Sequence, residues 1–260
     1  MWPNGATSAA VVSFDFDAEE VWIGEDPENA RRPGTLSQGS YDAKVAVPAI
    51  LDLLDRLSLT ATFFVPGRVA ERYPDRVRDI IKAGHEIGHH GYTHTSPTSL
   101  TREQEEAELT KGKEVLEALG AEVVGYRSPS WDFSPHTLDL LVSHGFAYSS
   151  NLMDDIRPYR HPKHPIVELP VHWTIDDAPH FWFDAASWVK TIRSAAEVES
   201  LWREELEGYV ALEGMFMLTT HPQIIGRPGR LLMLERFLRH LTQQEGIWIA
   251  TARTVAESVP

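Results

Sequence analysis

The feature that most constrains the fold is an alternation running the length of the chain. Short stretches rich in β-branched and aromatic residues alternate with longer stretches of helical apolar period, about seven or eight times over 260 residues. Parallel strands cannot be joined by tight turns, and a helix is the usual crossover between them. The alternation therefore predicts a parallel sheet wound with helices, most economically a barrel. No internal repeat or low-complexity linker interrupts the chain, and residues 1–260 read as one α/β domain.

In residues 11–17 a period of two puts Val12, Phe14 and Phe16 on one face and Ser13, Asp15 and Asp17 on the other. Two carboxylates on one face repel unless a cation or a proton lies between them. Residues 85–94 hold four of the twelve histidines. His85 and His89 are four apart, as are His90 and His94. One helical turn would aim either pair at a common divalent metal, and the spacing leaves open which pair binds. The competing reading is a solvated polar loop.

The remaining segments follow in order. Residues 24–40, rich in Gly, Pro, Ser and Arg, read as a long loop. Residues 41–57 read as a helix that Pro48 either kinks or begins, and 60–65 as a strand. A helix over 68–83, with Pro74 starting its second part, stops at Gly84. Residues 101–119 form a helix with a Thr101/Gln104 capping box and an acidic face that is most simply solvated. A strand at 123–127 precedes a helix from Ser134 to His144, a short strand near 146–148, and a proline-rich loop over 151–165. After a strand at 167–171 comes an aromatic stretch with Trp173, Phe181, Trp182, Phe183 and Trp188. It suits a lid, a substrate-stacking surface, or an interface in a homo-oligomer. An acidic helix (195–209), a strand (215–218), a basic helix (227–241), a strand (247–250) and a short helix complete the chain.

A formal charge of −14 disfavours nucleic acid and anionic membrane surfaces as partners. No apolar run of about 18 residues is present to span a membrane. With no cysteine, a metal would have to be held by His, Asp or Glu. The first residues lack the basic and apolar regions of a signal peptide, so a cytoplasmic location is expected.

Asp15, Asp17, residues 85–94, Arg127-x-Pro129 and His221 all fall at the C-terminal ends of predicted strands, which in a barrel is the catalytic mouth. In these ordered motifs the chain resembles the polysaccharide deacetylases of the NodB-homology fold, carbohydrate esterase family four. Gly84-His85-Glu86-Ile87-Gly88 followed by His90-x-x-x-His94 is the most specific match; Arg127-x-Pro129 and Leu218-x-x-His221 add to it. Phe16 separates Asp15 from Asp17, where the family usually has adjacent aspartates, and this looks like the intracellular branch of peptidoglycan deacetylases and cyclic amide or imide hydrolases.

The resemblance implies a distorted (β/α) barrel and a metal held by Asp17, His90 and His94, one divalent ion with zinc as the default. It implies Asp15 as general base, Arg127 as its orienting partner and His221 as general acid. Trp131 and Leu218 would wall the acyl pocket, with the Ser130 backbone N–H as an oxyanion donor. His85 and His89 would then be structural. A nearby carboxylate, Asp154 or Asp155, could keep His221 charged, and either could equally be a loop cap. The expected activity is hydrolysis of non-peptide carbon–nitrogen bonds in an amino sugar, a glycan or another small molecule. The alternatives are a cytosolic cyclic amide or imide hydrolase, some of whose relatives work without metal, and a non-catalytic carbohydrate-binding module.

Overall fold

The computed structural model describes residues 2–183 and 192–260. Trp188 of the aromatic stretch lies outside them. The strands are β1 (Ser8–Asp15), β2 (Thr62–Val65), β3 (Glu86–His89), β4 (Gly125–Tyr126), β5 (Tyr148–Ser149), β6 (Tyr159–Arg160), β7 (Val167–Glu168), β8 (Met215–Thr220) and β9 (Ile247–Ile249). The helices of the first half are α1 (Glu20–Glu25), α2 (Pro33–Tyr41), α3 (Val47–Leu57), α4 (Gly67–Arg72), α5 (Pro74–Lys82) and α6 (Arg102–Ala118). Those of the second half are α7 (Thr137–Ser143), α8 (Ala178–Phe181), α9 (Ala195–Ala211), α10 (Pro222–Ile225), α11 (Pro228–Thr242) and α12 (Ala252–Glu257).

The strands form one curled sheet in the order β6-β7-β5-β4-β3-β2-β1-β8, parallel throughout except for the β6/β7 pair. This is the expected distorted (β/α) barrel. Strand β1 is its centre. One edge pairs with β8 from Ala9 to Phe14, while Ser8–Ala10 pairs with β9 and Ser13–Asp15 with β2. A strand has two edges, so β9 and β2 share the one opposite β8.

Every residue of β1 is buried, as both faces of a parallel strand should be. Val12, Phe14 and Phe16 pack outward with Ile50 and Leu53 of α3 and Leu234 and Phe237 of α11. Ala9 and Val11 pack inward with Phe64, Tyr148, Met215 and Met217. Ser13 and Asp15 continue the inner face to the C-terminal end of the sheet, where a barrel opens.

Two expectations are revised, and the open alternative at Pro48 is settled. Residues 24–40 are not a long loop: they hold the end of α1, a 3₁₀ turn at Pro27–Arg31 and most of α2. Helix α2 packs by backbone proximity, with Gly39 against the Ala18–Glu19 peptide, so no apolar period marks it. Pro48 sits in the first turn of α3, joined to α2 through a wider π turn at Asp42–Ala46. The proline-rich loop contains β6, whose two residues are too few to show a period.

Candidate active site and metal centre

The inner face delivers its polar residues to one cavity of about 540 Å³ at the C-terminal ends of the strands. Asp15 ends β1; Asp17 lies in the turn that follows, where Ala18 takes a left-handed φ of 46° and its amide donates to buried Asp42 (3.0 Å). His90 follows β3, Arg127 follows β4 and His221 follows β8. All are the strand ends read from the sequence.

His90 Nε2 lies 3.4 Å from Asp17 Oδ1, and His94 Nε2 lies 3.6 Å from Asp17 Oδ2. One donor atom from each of these three residues falls within 4.8 Å of the others. The pair that converges is therefore His90/His94, and not through a helical turn. A strand end and a tight loop bring the rings together, with φ of 73° at Gly91 and 58° at His94. His89 and His85 point away. The His89 Nδ1 accepts from the Gly91 amide (3.0 Å) and its Nε2–H donates to the Leu109 carbonyl (3.1 Å). Burial holds the His89 ring neutral, its pKa lowered to about 3. His85 accepts from the Ala61 amide (3.2 Å).

The chemistry of the three residues fits a divalent cation. Both Asp17 carboxylate oxygens are buried and have no hydrogen-bond partner. A carboxylate so placed is costly unless a cation or a proton compensates it. Burial accordingly raises the Asp17 pKa, more than His90 and His221 lower it. His90 Nδ1 is 2.8 Å from the Arg127 carbonyl. A carbonyl only accepts, so Nδ1 carries the hydrogen and Nε2 turns its lone pair toward Asp17, as in metal-ligating histidines. Two imidazoles and a carboxylate suit several divalent metals alike.

Arg127 is fully buried beneath this group. It donates to Asp15 Oδ1 (2.7 Å), Ser13 Oγ (2.9 Å) and Ser150 Oγ (3.0 Å), and its guanidinium lies 4.1 Å from the Phe64 ring centroid. Burial pushes the Asp15 carboxyl up, but Arg127, His90 and His221 outweigh it and hold Asp15 below the ordinary range. Asp15 Oδ2 faces His90 Nε2 at 3.9 Å and His221 Nε2 at 4.0 Å.

His221 is supported by neither Asp154 nor Asp155. Asp154 accepts from the Tyr159 hydroxyl (2.8 Å), and Asp155 caps the amides of Ile156 and Arg157. The partner is Asp177, fully buried, whose Oδ1 is 2.7 Å from His221 Nδ1, with Asp176 at 3.8 Å. Burial alone would lower the His221 pKa, but Asp176 and Asp177 raise it well above the usual imidazole value. Burial pushes Asp176 itself up to about 7. Asp176 pairs with Thr219 on the edge of β8 away from β1, which brings Asp177 beside a residue 44 positions away. The signal was present as an Asp-Asp step between Ile175 and Ala178, inside the aromatic stretch.

Ser130 and Trp131 line the cavity, with left-handed φ of 64° and 56°, a strain typical of functional loops. Trp131 stacks on Trp173 at 4.4 Å, while Trp22 stacks on Trp182 at 5.2 Å, and Trp173 and Trp182 also line the cavity. Leu218 does not. Alternation along β8 turns Met217 inward and Leu218 outward, into the core beneath the helices. The acidic face of α6 is not simply solvated either, since Glu105 is buried against the Ser134 and Thr137 hydroxyls.

On this distorted (β/α) barrel, the chain's relatives define a hydrolase of carbon–nitrogen bonds other than peptide bonds. Residues 35–149 match the sequence profile of the polysaccharide deacetylases. A peptidoglycan deacetylase of Helicobacter pylori is 31% identical over 273 residues, spanning 94% of this chain and 93% of the relative. A solved candidate polysaccharide deacetylase from Mycobacterium smegmatis is 41% identical, with a TM-score of 0.96 over 100% of this chain and 92% of that one. The PuuE allantoinase structure shares the fold, with a TM-score of 0.86 at 22% identity over 98% of this chain and 91% of that one. The chain belongs to the polysaccharide deacetylase family.

Proposed function

We propose that the chain is a metal-dependent hydrolase that removes N-acyl groups from amino sugars or peptidoglycan-like glycans. The observation that carries this reading is Asp17: a buried carboxylate with both oxygens unpaired, between two imidazole nitrogens at 3.4 and 3.6 Å. Asp17, His90 and His94 would hold one divalent cation, which when bound lowers the pKa of water and polarises the substrate carbonyl.

The chain's own groups supply the proton transfers. Arg127 occupies Asp15 Oδ1 and keeps the carboxylate ionised, so that Oδ2 takes a proton from the attacking water. The water oxygen bonds to the acyl carbon. As the carbon–nitrogen bond breaks, the amine leaves with a proton from His221, which Asp176 and Asp177 keep charged. The hydrogen bond from His221 Nδ1 to Asp177 aims Nε2 at the reacting centre. Trp131 and Trp173 would wall the acyl group, and the Ser130 amide would serve as a further oxyanion donor.

Cavity walls drawn from Trp173, Ala178, Pro179 and Trp182 favour a compact substrate as the second reading, a cyclic amide or imide opened by the same residues. Metal content of the purified protein and of a His90→Ala/His94→Ala variant tests the first reading. About one metal per chain, lost in the variant, supports it; an unloaded protein offered zinc without uptake sinks it. Acetylated chitooligosaccharides and cyclic imides, assayed side by side, separate the two substrates.

A further inference from the structure

The loop between His90 and His94 is stitched to two helices. The Gly91 and Tyr92 carbonyls accept from the amides of Gly67 (3.0 Å) and Arg68 (2.9 Å), in the first turn of α4. The Gly91 amide goes to His89 Nδ1, and the next two amides go to α6. Glu108 Oε2 accepts from the amides of Tyr92 (2.9 Å) and Thr93 (2.7 Å), and Oε1 accepts from the Thr93 hydroxyl (2.9 Å). A Cβ at Gly67 would stand 2.6 Å from the Tyr92 ring and 2.8 Å from Gly112 Cα, so only glycine lets α4, α6 and the loop meet this closely.

We infer that Glu108 is a positioning residue for the metal centre: its carboxylate fixes the course of residues 91–93, and so the separation of the His90 and His94 nitrogens. The inference rests on the metal reading above. Two adjacent amides on one carboxylate oxygen are charge-assisted bonds, stronger than bonds to a neutral acceptor. The loop has left-handed residues at both ends, Gly91 and His94, and no bonds of its own regular structure, so its path depends on these partners. Without Glu108 the two amides turn to water, the loop samples other paths, and the imidazoles no longer hold one distance. Outer partners of metal ligands typically contribute 10- to 100-fold in affinity, roughly, when removed singly.

Zinc titrations by calorimetry on chelator-treated protein test this, with apo melting curves alongside. The variants are Glu108→Gln, which keeps the size but removes the charge from the acceptor of two amides, Glu108→Ala, and Glu106→Gln as a control on the same helix. Both Glu108 variants should bind zinc about 10- to 100-fold more weakly, the control should match the parent, and excess zinc should restore turnover in the Glu108 variants. Unchanged zinc affinity in Glu108 variants, even with a lower apo melting temperature, overturns the positioning role and leaves the metal reading intact. A parent protein that takes up no zinc overturns the metal reading instead. Should Glu108→Ala not fold, Glu108→Gln and Thr93→Val carry the test.

Discussion

Asp15 divides its two oxygens between structure and chemistry. Oδ1 belongs to Arg127, and Oδ2 looks toward His90 and His221. Asp15→Asn keeps the shape and removes the base. Turnover should fall about 10²- to 10⁴-fold while bound metal stays at the parent level; loss of metal together with activity would instead make Asp15 a ligand. His221 makes a second residue-scale test. Its pKa is raised by Asp176 and Asp177, so in Asp177→Asn the ring loses its proton at lower pH than in the parent. The alkaline limb of the kcat/KM profile should move toward acid. An unmoved limb would assign that limb to another group.

At the scale of elements, β3 and α6 approach most tightly at Gly112. A Cβ on Gly112 would fall 2.4 Å from His89 Nε2, the atom that donates to the Leu109 carbonyl. Gly112→Ala should therefore lower stability by about 1–3 kcal/mol, as overpacking typically does, despite the better helix propensity of alanine. Urea denaturation reads the change directly, and equal midpoints would show that α6 yields without cost. The capping box of α6, Thr101 with Gln104, is legible in sequence because capping is local chemistry between residues three apart. The roles of Glu105 and Glu108 on the same helix are not. Whether a glutamate on a helix face meets water or a distant loop depends on what the fold lays against it.

For the whole molecule, pH acts through groups buried in one protonation state. The His89 ring has a folded pKa of about 3 against about 6.5 unfolded. Between these values the unfolded chain binds more protons, so stability falls as pH drops, by about 1.4 kcal/mol per unit for this ring. Glu86 and Asp42 act in the opposite sense. Burial raises their folded pKa, so the stability they contribute is present at low pH and is lost as pH rises through the folded values. An NMR titration in which the His89 ring protonates near its unfolded value would show that it is not buried neutral.

The sequence by itself determined the alternation of strands and helices, and with it the barrel, because burial on a strand or a helix imposes a period that composition records. It also placed Asp15, Asp17, His90, His94, Arg127 and His221 at strand ends, since the order of the strands puts their C-terminal ends on one side. Spacing alone left open which histidine pair converges, because two identical spacings differ solely in the loop that carries them; the resemblance pointed to His90 and His94, and the tertiary structure brings that pair together. It alone turned Leu218 outward and brought Asp177 to His221. The sheet's curl and the Asp176 bridge to the edge of β8 set those distances, and contacts between residues far apart in the chain leave no period for a sequence to display.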